Sequence, residues 1–190
     1  MGVTATNLLL GAGTLYSGTF GATEPADTAV NVSPPASSWT DCGATDGGVK
    51  FSVDQKFATM SCDQLVDDVG SRLTSRAVMF STNLAEATLA NLKLAVNGGT
   101  SASGSGFASL DALNTTLASQ VPYFAAILDG FAPAPANSNY TRRVFLRKVV
   151  NTSKVESGYE KDKMTYIPVE FKSHYVSPSI TPFRWVDQTS

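Results

Sequence analysis

The sequence predicts a mainly β protein in which one helix lies against a sheet. Three observations carry this. Strand-period alternation recurs over 49–62, 72–81 and 163–176, with a further apolar strand at 142–150. Strong helical periodicity occurs in one stretch alone, about 83–96. Segments rich in Gly, Pro, Ser and Thr separate these blocks, as they do in sheet proteins whose strands are joined by turns and loops.

Residues 1–48 are a Gly/Pro-rich lead and loop with little helical signal. Asn7 to Leu10 read as a short strand, after which Gly11, Gly13, Gly18 and Gly21 interrupt the pattern. Gly11-Ala12-Gly13 has no third glycine at the right step and no βαβ pattern after it, which excludes a dinucleotide loop. Residues 24–45, with Pro25 and Pro34-Pro35, read as an extended loop carrying Trp39, a residue that in such a place plugs a core edge or meets a neighbour. In 49–62, Phe51, Val53 and Phe57 share one face while Lys50, Ser52, Asp54 and Lys56 share the other. The connection 63–70 returns the chain into 72–81, which predicts an antiparallel hairpin with one apolar and one polar face.

For the helix at 83–96, Asn83 is the expected N-cap with Glu86 reaching back to it. Ala85, Leu89, Leu92 and Val96 form the expected buried stripe, and Asn97-Gly98-Gly99 the stop. Residues 100–120 read as a flexible insertion: a low-complexity link over 100–106, then a weak second helix marked by Leu110, Leu113 and Leu117 before Pro122. Residues 123–131 read as a buried strand, and 142–150 and 163–176 as a pair in which Pro168 argues for an open side. One domain, 1–190, accounts for the whole chain.

Charged residues are only 16% of the composition and the net charge is −2, so nothing global draws the chain to nucleic acid or an anionic membrane. A surface that is neutral and small-residue-rich suits packing against copies of itself. Cys42 and Cys62 lack metal-ligand spacing and read as two reduced thiols, and one histidine does not make a zinc site. No stretch is long and apolar enough for a membrane span, and Leu8-Leu9-Leu10 is too short for a signal peptide.

Catalysis finds little support. A nucleophile–histidine pair would have to use His174, on the polar face of a strand, and there is no glycine-elbow serine. Asp63, Asp67 and Asp68 lack the ligand alternation of a calcium loop and read as a hydrated turn. Arg142, Arg143 and Arg147, with Lys148, fall on both faces of one strand without a stacking platform, which fits solvated strand ends or salt bridges to acidic loops of a neighbouring copy better than a nucleic-acid groove. No catalytic, metal or cofactor site is expected, so the chain reads as a non-enzyme.

The order of local phrases is nonetheless familiar. It runs N-L-L-L-G-A-G-T-L-Y-S-G, P-P-A-S-S-W-T-D-C-G, G-G-V-K-F-S-V-D and D-D-V-G-S-R-L-T-S-R-A-V. It continues L-A-E-A-T-L-A-N-L, R-R-V-F-L-R-K-V and M-T-Y-I-P-V-E-F-K. Over nearly its whole length the chain resembles the major tail proteins, or tail tube proteins, of long-tailed bacteriophages, those of actinobacteria in particular. The resemblance implies a β-sandwich or barrel with a flanking helix, assembled as hexameric rings stacked into a hollow tube in the virion, after synthesis in the host cytoplasm. It also implies contacts with tape measure, tail terminator and distal tail proteins, and a lumen through which DNA passes without specific binding. On this sequence it makes Lys50, Ser52, Asp54 and Lys56 candidates to line the lumen. Trp39, Asp63, Asp67, Asp68, Arg142, Arg143 and Arg147 become candidates for ring contact or stacking, through the loops 24–45 and 63–70. The rival class is a β-sandwich binding module, a receptor-binding or capsid-decoration protein, for which Trp39, Phe183 and Trp185 are the exposed-aromatic candidates.

Overall fold

A computed structural model describes residues 2, 4–135 and 138–189. In chain order its strands are β1 (Thr14–Thr19), β2 (Trp39–Asp41), β3 (Thr45–Met60) and β4 (Gly70–Leu84). After helix α1 (Leu89–Ala95) come β5 (Thr100–Gly104), β6 (Phe107–Asp111) and a one-turn α2 (Thr115–Ala118). The chain ends with β7 (Phe124–Ala132), β8 (Tyr140–Asn151), β9 (Ile167–Ser173) and β10 (Phe183–Asp187). Every named strand pairing is antiparallel.

Eight strands form one sheet, in the order β2-β1-β7-β8-β9-β4-β3, with β10 on the edge of β8 that β9 leaves open. β2 and β3 lie at opposite ends of that order, yet only residues 42–44 separate them. Consecutive Cα atoms are 3.8 Å apart, so the two ends cannot be more than about 15 Å from each other. The sheet must therefore curl until its ends meet. Phe51 of β3 accordingly touches Phe183 and Trp185 of β10, with ring centroids 5.7 and 5.3 Å apart, although three strand steps separate β3 from β8. The enclosed core takes Leu15, Phe80, Ala126, Leu146, Val149 and Phe171, with Phe51 and Leu92 packed at its margin.

β7 and β8 are buried on both faces, which is why their sequences run apolar without alternation. Their second face packs Ala125, Ile127 and Phe145 against Trp39. Gly18 pairs with Trp39 across β1 and β2, and a Cβ on it would lie 2.9 Å from the indole, so the glycine is what lets the ring close on the sheet. Gly47 and Gly48, both at φ 74°, sit at a break in the β3–β4 register, a left-handed conformation that favours glycine.

Several expectations are corrected. The helix starts at Leu89, not near 83, because β4 continues to Leu84: Asn83 pairs with Asp46 on one side and Pro168 on the other. A backbone held between two strands is not free to turn. Thr88 is the cap, its hydroxyl accepting from Asn91 N at 3.2 Å, while Glu86 accepts from Ala44 N at 3.0 Å. Asn91 and Ala95 are the buried helix positions, and Leu89 and Val96 are exposed. The stop at Asn97 stands, with φ 59°.

The expected flexible link over 100–106 is instead the β5–β6 hairpin, closed by cross-strand pairs such as Thr100↔Asp111. The second helix shrinks to α2, with Leu110 in β6. Asn7 to Leu10 form no strand; a 3-10 turn over Ala5–Asn7 precedes β1. The expected loop 24–45 ends in β2 and the start of β3, and β9 is shorter than 163–176. The β8–β9 ladder stops at Asn151↔Phe171, so Pro168 lies beyond it, where no ladder bond from β8 is required.

Candidate assembly surface

The hairpin β3–β4 is the site on which the sequence concentrates candidates, and it divides into two parts. From Thr45 to Ser52 β3 lies on the body; from Val53 to Met60, and from Ser71 to Arg76 on β4, every residue is exposed. β9 covers only Met79 to Leu84 of β4, and β3 ends the strand order with its outer edge unpaired among the described residues. Eight residues at strand rise make an arm of about 27 Å. Thr74 Oγ1 donates to Lys56 O at 3.0 Å where the register shifts between Lys56 and Phe57.

The arm's two faces differ. Phe51, Phe80 and Phe171 fix the core-facing side, and on that side the arm continues with Val53, then the polar pair Gln55 and Arg76, then Phe57 opposite Leu73, all exposed, Phe57 by 58%. Trp185, 52% exposed, extends this strip through its contact with Phe51. Lys50, Ser52, Asp54 and Lys56 lie together on the opposite side, opposite Ser81, Met79, Ala77 and Ser75. Cross-strand partners point to the same face, so Glu170 (opposite Ser81) and Lys172 (opposite Met79) extend that side across β9. It thus carries Lys50, Lys56, Arg72 and Lys172 against Asp46, Asp54 and Glu170. Asp63, Asp67 and Asp68 occupy the exposed connection at the tip, with Leu65 and Val66 between them.

The remaining candidates are held inside the chain. Trp39 is 3% exposed and its Nε1 donates to Thr23 O at 3.1 Å, so it offers a neighbouring copy almost no surface. Arg143, 1% exposed, donates twice to Asp129 at 2.6 Å and also to the carbonyls of Ala29 and Val32. It thereby clamps the segment before β2 over the second core. Burial raises the pKa of Asp129, and Arg143 pulls it down. Arg147 is bound by Glu24 at 2.5 and 3.0 Å and donates to Thr181. Arg142 makes a two-pronged pair with Asp187 at 2.7 Å, which holds the Asp187 carboxyl below its usual pKa. The sequence leads one to expect solvated strand ends or salt bridges to a neighbouring copy for this basic cluster; Arg142, Arg143 and Arg147 instead take carboxylates of their own chain. Residues 24–45 are built into the body and are not a free loop.

Sequence reasoning missed Asn91 and Asn151. Asn91 Nδ2 donates to Cys42 O and Glu86 O, both at 2.9 Å. Asn151 donates through Nδ2 to Ala95 O and accepts at Oδ1 from Glu170 N, while its backbone pairs with the Asn97 side chain. These amides bind α1 to the curled sheet. A helix stop at Asn97 was visible, but the fixed partner 54 residues away had no local signal.

Among the described residues no group of three or more His, Cys, Asp or Glu is placed to hold a metal ion, and no helix is long and apolar enough to cross a membrane. Cys42 and Cys62 are free thiols, the first buried and the second exposed. The chain matches no protein-family model and no curated protein.

Proposed function

We propose that this chain is a structural virion protein that self-assembles into hexameric rings stacked as the tail tube of a long-tailed phage, the conduit for DNA ejection. The observation that carries the reading is the β3–β4 arm: a hairpin that leaves the body with an unpaired outer edge and an exposed strip of Val53, Phe57 and Leu73. An open edge of this length invites strand pairing with another chain, and a closed ring of copies would remove it. These side chains are 36–58% exposed, so covering what remains contributes about 1 kcal/mol each, a favourable drive to association.

Within this reading, the side carrying Lys50, Ser52, Asp54 and Lys56 is a poor wall for a DNA conduit. Its four cations, Lys50, Lys56, Arg72 and Lys172, exceed the three carboxylates Asp46, Asp54 and Glu170 by one, so the side lacks the acidic excess with which a wall repels a sliding polyanion. Asp54→Lys tests the bore assignment: slowed genome ejection with normal tubes would place this side on the lumen, and unchanged ejection would place it elsewhere. The rival binding-module reading loses one of its three aromatic candidates with the burial of Trp39.

Electron microscopy of the purified protein over a concentration series tests the proposal. Rings or hollow tubes are expected. Dispersed particles at every concentration, with or without a tail-tip complex as initiator, would overturn it.

A further inference from the structure

The tip of the arm and one patch on the body are each left incomplete by the chain's own contacts. At the tip, Asp63, Asp67 and Asp68 are exposed and enter no ion pair among the described residues. Leu65 and Val66 stand between them, both well exposed. The patch lies where the end of β9 meets β8 and the turn before β7. Lys148 Nζ sits 4.2 Å from the Tyr123 ring centroid and 5.5 Å from that of Phe20. His174 packs edge-on to Tyr123 at 5.5 Å. Lys172, two residues earlier on the same face of β9 and opposite Val150, is exposed.

Among the described residues neither Lys148 nor Lys172 has a carboxylate partner. The nearby acids are committed elsewhere: Glu24 to Arg147, and Glu170 to the Thr152 hydroxyl at 2.9 Å. The His174 pKa is lowered, first by burial and then by Lys172 and Lys148, so the local field is positive. His174 Nε2 is closed from solvent without a hydrogen-bond partner.

We infer that the tip of one copy docks on this patch of a second copy, its aspartates against Lys148 and Lys172 and Leu65–Val66 against the rings of Phe20 and Tyr123. A chain cannot make the contact with itself. The β9 ladder on β4 stops at the Met79–Lys172 pair, and Gly70 lies nine residues farther along β4, about 30 Å at strand rise. Tip and patch are different surfaces, so the contact is heterologous and propagates from copy to copy until a rotation closes it into a ring or leaves an open stack. The inference rests on the tail-tube reading only in naming the assembly; the contact itself stands on charge and shape.

The test uses two full-length double variants, Asp67→Lys with Asp68→Lys and Lys148→Glu with Lys172→Glu, followed by sedimentation velocity and electron microscopy. Each variant alone should lose self-association by about tenfold or more, as wild type should in high salt. An equimolar mixture should recover it, because each tip then meets a patch of opposite charge. Association of either variant at wild-type strength, or a mixture no better than its components, would overturn the inference while leaving any rings of the wild type to support the tail-tube reading. Charge-dependent association without rings would uphold the contact and overturn the tube. A wild type that stays monomeric throughout would overturn both.

Discussion

Single side chains hold the curled sheet closed. Asn151 joins the end of β8 to α1 and to β9 through one buried amide. Asn151→Ala leaves Ala95 O and Glu170 N without that partner, and buried groups so stranded cost about 1–3 kcal/mol each. The expected loss is roughly 2–4 kcal/mol in denaturant unfolding, with unchanged secondary structure by circular dichroism. Asp187 gives the acid limb of the stability profile. Arg142 lowers its pKa in the folded chain, so the pair's contribution is full above the unfolded value near 4 and is lost as pH falls through the folded value. The pair is partly exposed, which caps its worth at about 1 kcal/mol. Asp187→Asn should therefore flatten stability below about pH 4 by that amount and lower it at pH 7. The two thiols separate by environment. Burial, ahead of the Ser17 and Asp41 contributions, pushes Cys42 up to about 11, while Cys62 is exposed beside the arm tip. Native protein should take up one maleimide within minutes, at Cys62, and a second only in denaturant; fast labelling of both would contradict the burial.

At the scale of elements, the long hairpin was legible and its reach was not. Alternation in 49–62 gives the two faces of β3 because side-chain period is fixed by backbone geometry. The same alternation continues past Val53, where β9 no longer covers β4 and neither face is buried, so the sequence does not mark where the body ends. Helix α1 shows the converse failure. Asn83 and Glu86 satisfy a capping pattern, but pairing of Asn83 and Leu84 with β3 and β9 extends the strand through it. The arm tip should be dispensable to folding. Met60 pairs directly with Gly70, so replacing 61–69 by Asn-Gly offers the turn that a two-residue hairpin needs. The expected product unfolds within about 1 kcal/mol of wild type and fails to polymerise. Removing 24–45 has the opposite expectation. Trp39 and the carbonyls that Arg143 holds go with it, and the chain should not fold.

For the whole molecule, the decisive geometry is the meeting of the sheet's two ends. That curl is set by the three-residue connection between β2 and β3 and by Phe51 reaching β10, contacts between residues far apart in strand order. What the sequence determined by itself was the mainly β class, the apolar and polar faces of the hairpin, a buried strand at β7 and the helix stop at Asn97. Each follows from local backbone preference or from the period of apolar residues, which any short window contains. Only the tertiary structure decided that Trp39 and Arg143 are interior, that Arg142 and Arg147 are satisfied within the chain, and that Lys148, Lys172 and His174 share one patch with Phe20 and Tyr123. A side chain's partner is chosen by which strands lie side by side. Strand order is a property of the whole curled sheet, and no window of sequence contains it.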